Sequence, residues 1–565
     1  MGKGTFTPKM ISADQIAQDL PAIDNNAEEL RNSQASNSTY CDLESETPNE
    51  DFYLQTEYEA DLDLLLLQVD IDNDPRVPPP VAPGPDNSMG TLLNGQPPLS
   101  WSFSSLSTKA NLYKAVISGH SNQYFLKKAV ERLETIIANG NLLQKTPYGI
   151  APKPATFNYL DENGSTITKP MVATDSPNDY VSLATYWWPD LNSADGLPYI
   201  VHDGKPNPEA TAIPDHSLLH DICHDIQFLG LAYYFTKKDA YAAQAIALLR
   251  AFFLDPITRM NPHLRYAQII MGANKGNGRC IGFVDAELLP ELLNGYQLLQ
   301  ESPALIAAPE VDAGMKEWFR QFWQWLTTHY ETVPPKGSAA FYHYQMMKEI
   351  KTVKNNIRCA YELQVISYAQ FIGENAWAVQ EINAILKDSK TELGLISEQI
   401  LPENGIFKVK DKTGEEKEYP VPAGTMPKEM KRAKPATYCQ KNLDLLLRLC
   451  VLAENAGVDL WNYTSPGGSS VKKAIEAIWY FNINPQEWPR SENEDLADPK
   501  VYRIFRHTIR RASGAWLQDK TLQNNVQTYL QRLDELVGAQ SGYSEVAYRK
   551  GLDWQLLIHK LGYTF

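Results

Sequence analysis

Apolar residues recur at spacings of three and four along the chain beyond residue 100, which is the pattern of amphipathic helices. The segment LKKAVERLETIIANG (126–140) shows this pattern and stops at a glycine. Strand-like alternation is confined to short pieces such as GIFKVKD (405–411). Further helix-like stretches, joined by loops rich in Pro, Gly and Asn, are 218–236, 240–254, 285–300, 315–331, 357–373, 377–389, 438–457, 470–481, 523–538 and 548–562.

This pattern predicts an all-α fold. Each helix must bury one apolar stripe, and a ring of helical hairpins does so around a common core. Such an (α/α) toroid, or incomplete barrel, leaves a cleft on the face where the longer loops emerge. Periodicity alone does not distinguish a toroid from an α-solenoid.

The first part of the chain has a different composition. Residues 1–100 carry 18 Asp and Glu against four Lys and Arg, a net charge of −14, and PRVPPPVAPGP (75–85) favours extended polyproline geometry. We interpret 1–98 as a largely irregular, acidic, Pro-rich extension and linker, and 99–565 as the helical domain. Two interpretations of the extension stand: disorder, or an adaptor to a larger assembly such as a phage particle.

Charge and hydropathy narrow the class of partner. The net charge of −16 argues against nucleic acid, while the −2 carried by residues 101–565 leaves room for a local basic cleft that binds an acidic polymer. No apolar run reaches the roughly 18 to 20 residues that span a membrane, and residues 1–20 lack the apolar core of a signal peptide. Six cysteines without CxxC spacing predict buried thiols.

Five motifs, taken in order, resemble the alginate lyase family. They are DYVSLATYWWPD (179–190) with DGLPYIVHDGKPNPE (195–209), FFLDPITRMNPHLRYAQIIMGANKGNGRCIGFVD (252–285), KNNIRCAY (354–361), RAKPATYCQKNLDLL (432–446) and AENAGVDLWNY (453–463). The resemblance implies a helical toroid and a polysaccharide lyase that cleaves a uronic-acid-containing, acidic polysaccharide by β-elimination. That chemistry needs no metal and no cofactor.

The same residues are chemically compatible with β-elimination. The proton on C5 of a uronate is acidic only when the neighbouring carboxylate is neutralised, and the reaction needs a base near C5 and an acid near the departing oxygen. By the family match, Tyr438 is the catalytic base and acid, with Arg432 beside it. Lys434 lies four residues before Tyr438, and a nearby cation favours the phenolate. The alternative is an ordinary half-buried tyrosine at a helix start.

Asn355 and Asn356 match the family's asparagines, one of which is expected to hydrogen-bond the uronate carboxylate. A helix follows directly, so capping is a competing role. The family's next residue is a histidine, whereas this chain has Ile357, which carries neither proton nor charge. The adjacent Arg358 is a candidate for the missing positive charge. Other candidates to replace the histidine are His343 and Tyr344, in a segment interpreted as extended.

Further substrate contacts follow from the other motifs. The aromatic run Tyr186–Trp188 suits stacking on sugar rings, with at least one of its tryptophans expected in the core and one in the cleft. Val201 and His202 stand where the family commonly has basic residues, which indicates a different substrate preference. The remaining predicted contacts are Tyr199, Arg265, Tyr266, Gln268 and Asn274.

Alternative functions remain at this stage. The chain is also compatible with a catalytically inactive glycan-binding relative, or with a glycoside hydrolase that uses paired acids such as Asp285 with Glu287, or Glu403 with Glu429. Histidines at 216, 220 and 224 share one helix face, the spacing of some metal sites, but a partly exposed polar face is the favoured interpretation. The leading interpretation remains a lyase centred on Tyr438, Arg432 and Asn356.

Overall fold

The structure is a computed structural model that describes residues 121–490, except 203–204, 391 and 411–414, together with short runs between 496 and 529. The predicted extension 1–98 and the helix-like stretch 548–562 lie outside the described residues, as does most of the stretch 523–538. The domain boundary near residue 98 therefore stays a prediction.

Within the described part of residues 121–490, fourteen α-helices follow one another along the chain. They are α1 (Ser121–Asn139), α2 (Pro208–Thr211), α3 (Asp215–Thr236), α4 (Asp239–Leu249), α5 (Leu289–Gln297), α6 (Pro303–Ile306), α7 (Pro309–Leu326), α8 (Ala339–Ile350), α9 (Asn356–Ile372), α10 (Asn375–Glu381), α11 (Leu395–Gln399), α12 (Pro427–Met430), α13 (Pro435–Asn455) and α14 (Val471–Ile483). A π-helical turn extends α4 through Arg250–Leu254 and another extends α10 through Ile382–Leu386. Every helix-like stretch that falls within residues 121–490 is therefore confirmed as helical.

The long helices pack against one another around one large apolar core. Helix α3 packs on α4 and α5, α9 packs between α7 and α13, and α13 packs on α14. The crossing of α3 and α5 is close because Gly230 faces Gly295, where an added Cβ would lie 2.2 Å from the Gly295 carbonyl oxygen. The predicted helical toroid is confirmed, and within the described residues it does not close into a barrel.

In addition to the helices, the described residues form four two-stranded sheets of short strands. The pairs are β1 (Thr156–Leu160) with β2 (Thr166–Pro170), β3 (Val181–Leu183) with β6 (Tyr266–Ile269), β4 (Trp187–Trp188) with β5 (Ile200–Val201), and β7 (Gly405–Lys410) with β8 (Glu416–Val421). Among these four pairs, only β3 and β6 run parallel, and their pairing brings two distant motifs side by side. Strand β7 was predicted from its alternation. The strands of two to four residues are too short to show a period of two.

The segment FYHYQMMKEIK is helical, so its interpretation as extended was wrong. It forms most of α8, whose N-cap is Ser338, with the Ser338 hydroxyl oxygen accepting a hydrogen bond from the Phe341 N–H at 3.1 Å. The buried residues of α8 recur at spacings of three and four, as a helix requires. They are His343, Met346, Met347 and Ile350.

The described residues also bear on two expectations from the sequence, one about the cysteines and one about membrane-spanning helices. The five cysteines within it, Cys223, Cys280, Cys359, Cys439 and Cys450, are buried thiols outside any disulfide, as predicted. None of the described helices is long and apolar enough to cross a membrane.

The buried imidazole of His343 predicts acid sensitivity. Burial lowers the pKa of His343 from 6.5 to about 3, so only the unfolded chain takes up this proton between those values. The stabilisation is complete above about pH 6.5 and is lost as the pH falls towards 3. Between pH 7 and pH 4.5 we expect the wild type to lose roughly 2 to 3 kcal/mol of unfolding free energy more than His343→Gln.

Urea denaturation at the two pH values measures this difference, with the exposed His329 replaced by glutamine as the control. The control is expected to lose as much free energy as the wild type. Equal losses in the wild type and in His343→Gln would contradict the assignment of a neutral, buried His343.

Candidate active site

The segment from Pro427 to Tyr438 turns sharply between two helix starts. Pro427 opens α12 and Pro435 opens α13, where proline is favoured because its ring fixes φ and the missing N–H needs no partner. The Tyr438 N–H donates to the Lys434 carbonyl at 3.1 Å and so belongs to the first turn of α13. Arg432 lies in the bend between the helices, where its side chain turns back towards α13.

The Arg432 guanidinium lies against the Tyr438 ring. Its central carbon is 5.0 Å from the ring centroid, a cation–π distance. Both residues are buried, with 4% of Arg432 and 3% of Tyr438 exposed. Neither terminal nitrogen of Arg432 has a hydrogen-bond partner among the described residues. Because a buried guanidinium normally satisfies its donors, this arrangement is suited to an incoming carboxylate, which accepts two parallel N–H bonds.

The two asparagines at the start of α9 have different roles. Asn355 is the N-cap, since its side-chain oxygen accepts from the Ile357 N–H at 3.1 Å, so the capping role is present. Asn356 donates from its backbone N–H to Glu429 Oε1 at 2.7 Å and from its side-chain Nδ2 to Glu429 Oε2 at 2.8 Å. Asn356 is thereby joined to the segment that carries Arg432 and Tyr438.

Glu429 is a buried acid, 1% exposed, that sequence reasoning did not connect to the asparagines. Burial raises its pKa, while the positive charge of Arg432 and the two bonds from Asn356 act in the opposite direction. Both of its oxygens accept N–H bonds, as an ionised carboxylate does. The signal in the sequence is its place three residues before Arg432, on the same side of one helical turn.

Arg358 does not join this cluster. Its Nε donates to Glu362 Oε1 at 2.5 Å and its Nη1 donates to the Ile350 carbonyl at 2.9 Å. Residues two positions apart on a helix point about 200° from each other, so Arg358 lies on the side of α9 opposite to Asn356. The expectation that it replaces the missing histidine's charge is therefore not met. Ile357 itself is buried, 3% exposed.

His343 also packs in the protein interior and not in the candidate site. Its ring stacks on Trp325 with centroids 4.4 Å apart and an interplanar angle of 10°, and its Nδ1 lies 2.8 Å from the Tyr330 hydroxyl. With a pKa lowered to about 3, the ring is neutral near pH 7. It supplies no positive charge to a substrate.

A second polar cluster forms where β3 and β6 pair. The Asp285 carboxylate accepts from the Tyr180 hydroxyl at 3.1 Å, from the Ser182 hydroxyl at 2.5 Å and from Gln268 Nε2 at 3.0 Å. The Gln268 side-chain oxygen accepts from Arg279 at 3.1 Å. Both ends of the Gln268 amide are thus hydrogen-bonded within the protein.

A small cavity of about 50 Å³ opens beside this cluster. Its walls are mainly hydroxyl-bearing and apolar: Ser182, Leu183, Thr185, Ala210, Thr211, Ile213, His216, Ser217, Gln268 and Asp285. It has room for a water molecule or a small substituent. Sequence reasoning singled out Gln268 but missed Ser182 and Tyr180, although they stand in the first of the five motifs.

The aromatic run divides between core and surface. Tyr186 is buried at 7% exposure, whereas Trp187 and Trp188 are both half-buried on β4. Arg279 lies 5.7 Å from the Trp187 ring centroid and Lys205 lies 4.4 Å from that of Trp188. Two partly exposed indoles with cations against them form a surface suited to sugar rings with negative substituents.

Tyr199 is committed to an ion pair. Its hydroxyl accepts from Lys169 at 2.8 Å and donates to Glu209 at 2.7 Å, while Lys169 and Glu209 are 2.6 Å apart. Burial, reinforced by Glu209, raises the pKa of Tyr199 to about 12. Tyr199 therefore keeps its proton, and it could contact a substrate only through a hydrogen bond.

The predicted contacts at Arg265 and Tyr266 are also held by protein groups. Arg265 pairs with Asp175 and donates to Asn277 at 2.7 Å, and its guanidinium lies 4.8 Å from the Tyr266 ring centroid. Burial raises the pKa of Tyr266 to about 12. Asn274 lies in a short turn with φ of 49°, and its carbonyl accepts from the Asn277 side chain.

The histidines of α3 lie on one side of the helix, as their spacing predicts. The His216 and His220 rings are 4.1 Å apart, and burial lowers the pKa of His220 well below its usual value. Lys441 adds a positive charge nearby and pairs with Glu287 at 3.1 Å. Within the described residues, no group of three or more His, Cys, Asp or Glu side chains is arranged to hold a metal ion.

Comparison with known proteins identifies the class. The family model described as alginate lyase matches residues 166–399 and 415–488, more than half of the chain, so the chain belongs to the alginate lyase family. It is a polysaccharide lyase. A crystal structure of an alginate lyase from Bacteroides ovatus is similar at a TM-score of 0.59 and 28% identity, covering 82% of this chain and 99% of that one. A search of curated proteins finds no match.

The network around Asp285 predicts a large cost of removing its carboxylate. Asp285→Ala leaves three buried donors, on Tyr180, Ser182 and Gln268, without their acceptor. We expect the unfolding free energy to fall by roughly 3 kcal/mol in urea denaturation. The exposed Asp239→Ala is the control, with an expected change within roughly 0.5 kcal/mol. A loss at Asp285 as small as that of the control would refute the network's contribution to stability.

Proposed function

We propose that this polysaccharide lyase cleaves a uronic-acid-containing polysaccharide by β-elimination, with Tyr438 as base and acid and with Arg432 and Asn356 on the substrate carboxylate. The observation that carries the proposal is the buried Arg432 guanidinium, which lies against the Tyr438 ring and has two nitrogens without partners among the described residues. An elimination needs a neutralising cation next to a proton acceptor, and this pair supplies both.

The role of Arg432 follows from its charge. A uronate carboxylate bound by the guanidinium fork loses much of its negative charge, so the C5 proton becomes more acidic. The same positive charge favours the phenolate of Tyr438, the form that accepts a proton. Both side chains are nearly fully buried, and charge interactions are stronger in such surroundings than in solvent.

The reaction then balances within the site. The Tyr438 phenolate takes the C5 proton, and the electron pair of the C5–H bond forms the C4–C5 double bond. The bond between C4 and the glycosidic oxygen breaks, and the departing oxygen takes the proton from the Tyr438 hydroxyl. Tyr438 ends as phenolate, ready for another cycle, and neither His343 nor Ile357 takes part.

Substrate binding extends from this centre along the cleft. We assign Trp187 and Trp188 to a stacking surface for neighbouring sugar rings, because both indoles are half-buried and carry cations against them. Lys434 adds positive charge one residue before α13. Together these groups suit a polymer whose rings bear carboxylates.

Replacing Tyr438 by phenylalanine tests the chemistry. The change removes one hydroxyl and keeps the ring against Arg432, so we expect at least a roughly 1000-fold loss of kcat with binding retained. The assay is ultraviolet absorbance during incubation with alginates, glucuronans and bacterial capsular polysaccharides, because the double bond conjugated to the carboxylate is a new chromophore. Tyr480→Phe, at a 38% exposed tyrosine, is the matched control and should keep full activity.

The same assay separates the alternatives. A chromophore whose rate is unaffected by Tyr438→Phe would contradict the role of Tyr438. Falling viscosity without a chromophore would indicate hydrolysis by paired acids. Polymer binding with neither signal would indicate a glycan-binding relative.

The stacking surface has its own test. Trp188→Ala removes the indole on which a sugar ring would lie, and we expect KM to rise about tenfold while kcat changes less than about threefold. Trp188→Phe keeps an aromatic face and should recover part of the affinity. Steady-state kinetics on the polymer that gives the chromophore measures both. An unchanged KM in Trp188→Ala would remove this tryptophan from the binding surface.

A further inference from the structure

We infer that Glu429 is a positioning residue, which fixes the Asn356 carboxamide in the orientation that meets the substrate carboxylate. The inference rests on the proposed function and extends it to a residue that does not touch the substrate. Its basis is the pair of hydrogen bonds by which Glu429 holds Asn356, 2.7 Å from the backbone N–H and 2.8 Å from Nδ2.

The pairing determines which way the amide of Asn356 points. A carboxylate only accepts hydrogen bonds, so the nitrogen of the carboxamide, and not its oxygen, must face Glu429. An asparagine amide otherwise has two orientations of similar energy about its last torsion. With Glu429 in place, one N–H is used and the second N–H is directed elsewhere, available to an acceptor.

The backbone bond adds a second restraint. Asn356 is the first residue of α9, and the N–H groups of a first helical turn have no partner within the helix. Glu429 supplies that partner for Asn356, while Asn355 supplies one for Ile357. Both the backbone and the side chain of Asn356 are therefore fixed by one carboxylate.

The same short segment also holds the cation. The Arg432 N–H donates to the Glu429 carbonyl at 3.1 Å, so the turn that directs the Glu429 carboxylate to Asn356 also begins the bend at Arg432. The proposed mechanism needs Arg432 and Asn356 on one substrate carboxylate. The segment 429–432 thus sets the positions of these two groups relative to each other. A small displacement of either group costs rate steeply, because the reacting atoms must be aligned.

Capping of α9 is the competing role for Glu429, and kinetics distinguishes the two. Glu429→Gln keeps the volume but replaces one acceptor oxygen by an NH2 group, which then faces one of the two Asn356 donors, so both bonds cannot be kept with the carboxamide in its present orientation. We expect kcat to fall roughly 10- to 100-fold and KM to change less than about threefold, because the carboxylate gains charge mainly in the transition state. If Glu429 only capped α9, Glu429→Gln would lower the stability and leave both kcat and KM unchanged.

A double-mutant cycle supplies the decisive readout. Asn356→Ala should lower kcat by roughly 100-fold, and adding Glu429→Gln should lower it no further than about twofold, because Glu429 acts through Asn356. Multiplying effects would overturn the inference, as would a wild-type kcat in Glu429→Gln. Failure of the proposed function looks different, since Tyr438→Phe would then keep its activity whatever the cycle gives.

Two further variants serve as a control and as a substitute for Glu429→Gln. Glu362, fully buried and paired with Arg358 on the other side of α9, is a matched acid. Glu362→Gln should lower the melting temperature, and any effect on kcat should multiply with that of Asn356→Ala. If Glu429→Gln does not fold, Glu429→Asp keeps the carboxylate on a shorter stem and should give an intermediate kcat; a wild-type kcat there would count against the inference.

A crystal structure of Glu429→Gln gives a readout that needs no turnover. We expect the Asn356 carboxamide to rotate or to occupy two orientations, while the Asn355 cap is kept. A carboxamide that stays as in the wild type would show that Glu429 does not position it.

Discussion

The buried guanidinium of Arg432 is the constraint on which the candidate site depends. Removing a charge from water is costly unless nearby groups compensate it. Here the Tyr438 ring lies 5.0 Å away and the negative potential of Glu429 acts on the same charge, while two guanidinium nitrogens have no partner among the described residues. The fold thus maintains a positive charge that is only partly compensated, and in the proposed mechanism a substrate carboxylate completes the compensation.

Maintaining such a charge requires rigid surroundings. Helices α9 and α13, which carry Asn356 and Tyr438, pack directly on each other in the core. Beneath them Asn442 donates to the Gln399 side-chain oxygen at 2.7 Å, and the Gln399 amide nitrogen lies 3.4 Å from the Cys359 sulfur. This polar network joins α9, α11 and α13 close to the site, so the proposed catalytic groups are positioned by the toroid itself.

The helical fold could be predicted because each helix buries an apolar stripe, and the stripe has a period visible in the sequence. The prediction failed for α8, whose cap at Ser338 and buried face were overlooked in a run rich in aromatic residues. The direction of individual side chains could also not be predicted from the sequence. Arg358 was expected in the cleft but pairs with Glu362 four residues later, an interaction that the helix itself brings about. Glu429 was noticed only as one of several acids, since its contact with Asn356 bridges 73 positions.

The central claim is that Arg432 and Asn356 bind the carboxylate of the sugar whose C5 proton faces Tyr438. A crystal structure of Tyr438→Phe with a tetrasaccharide of the cleaved polymer tests it most directly. The account predicts a uronate carboxylate within hydrogen-bond distance of the Arg432 guanidinium and the Asn356 amide, with C5 over the edge of the substituted phenyl ring. A tetrasaccharide whose carboxylates all lie away from Arg432 would contradict it.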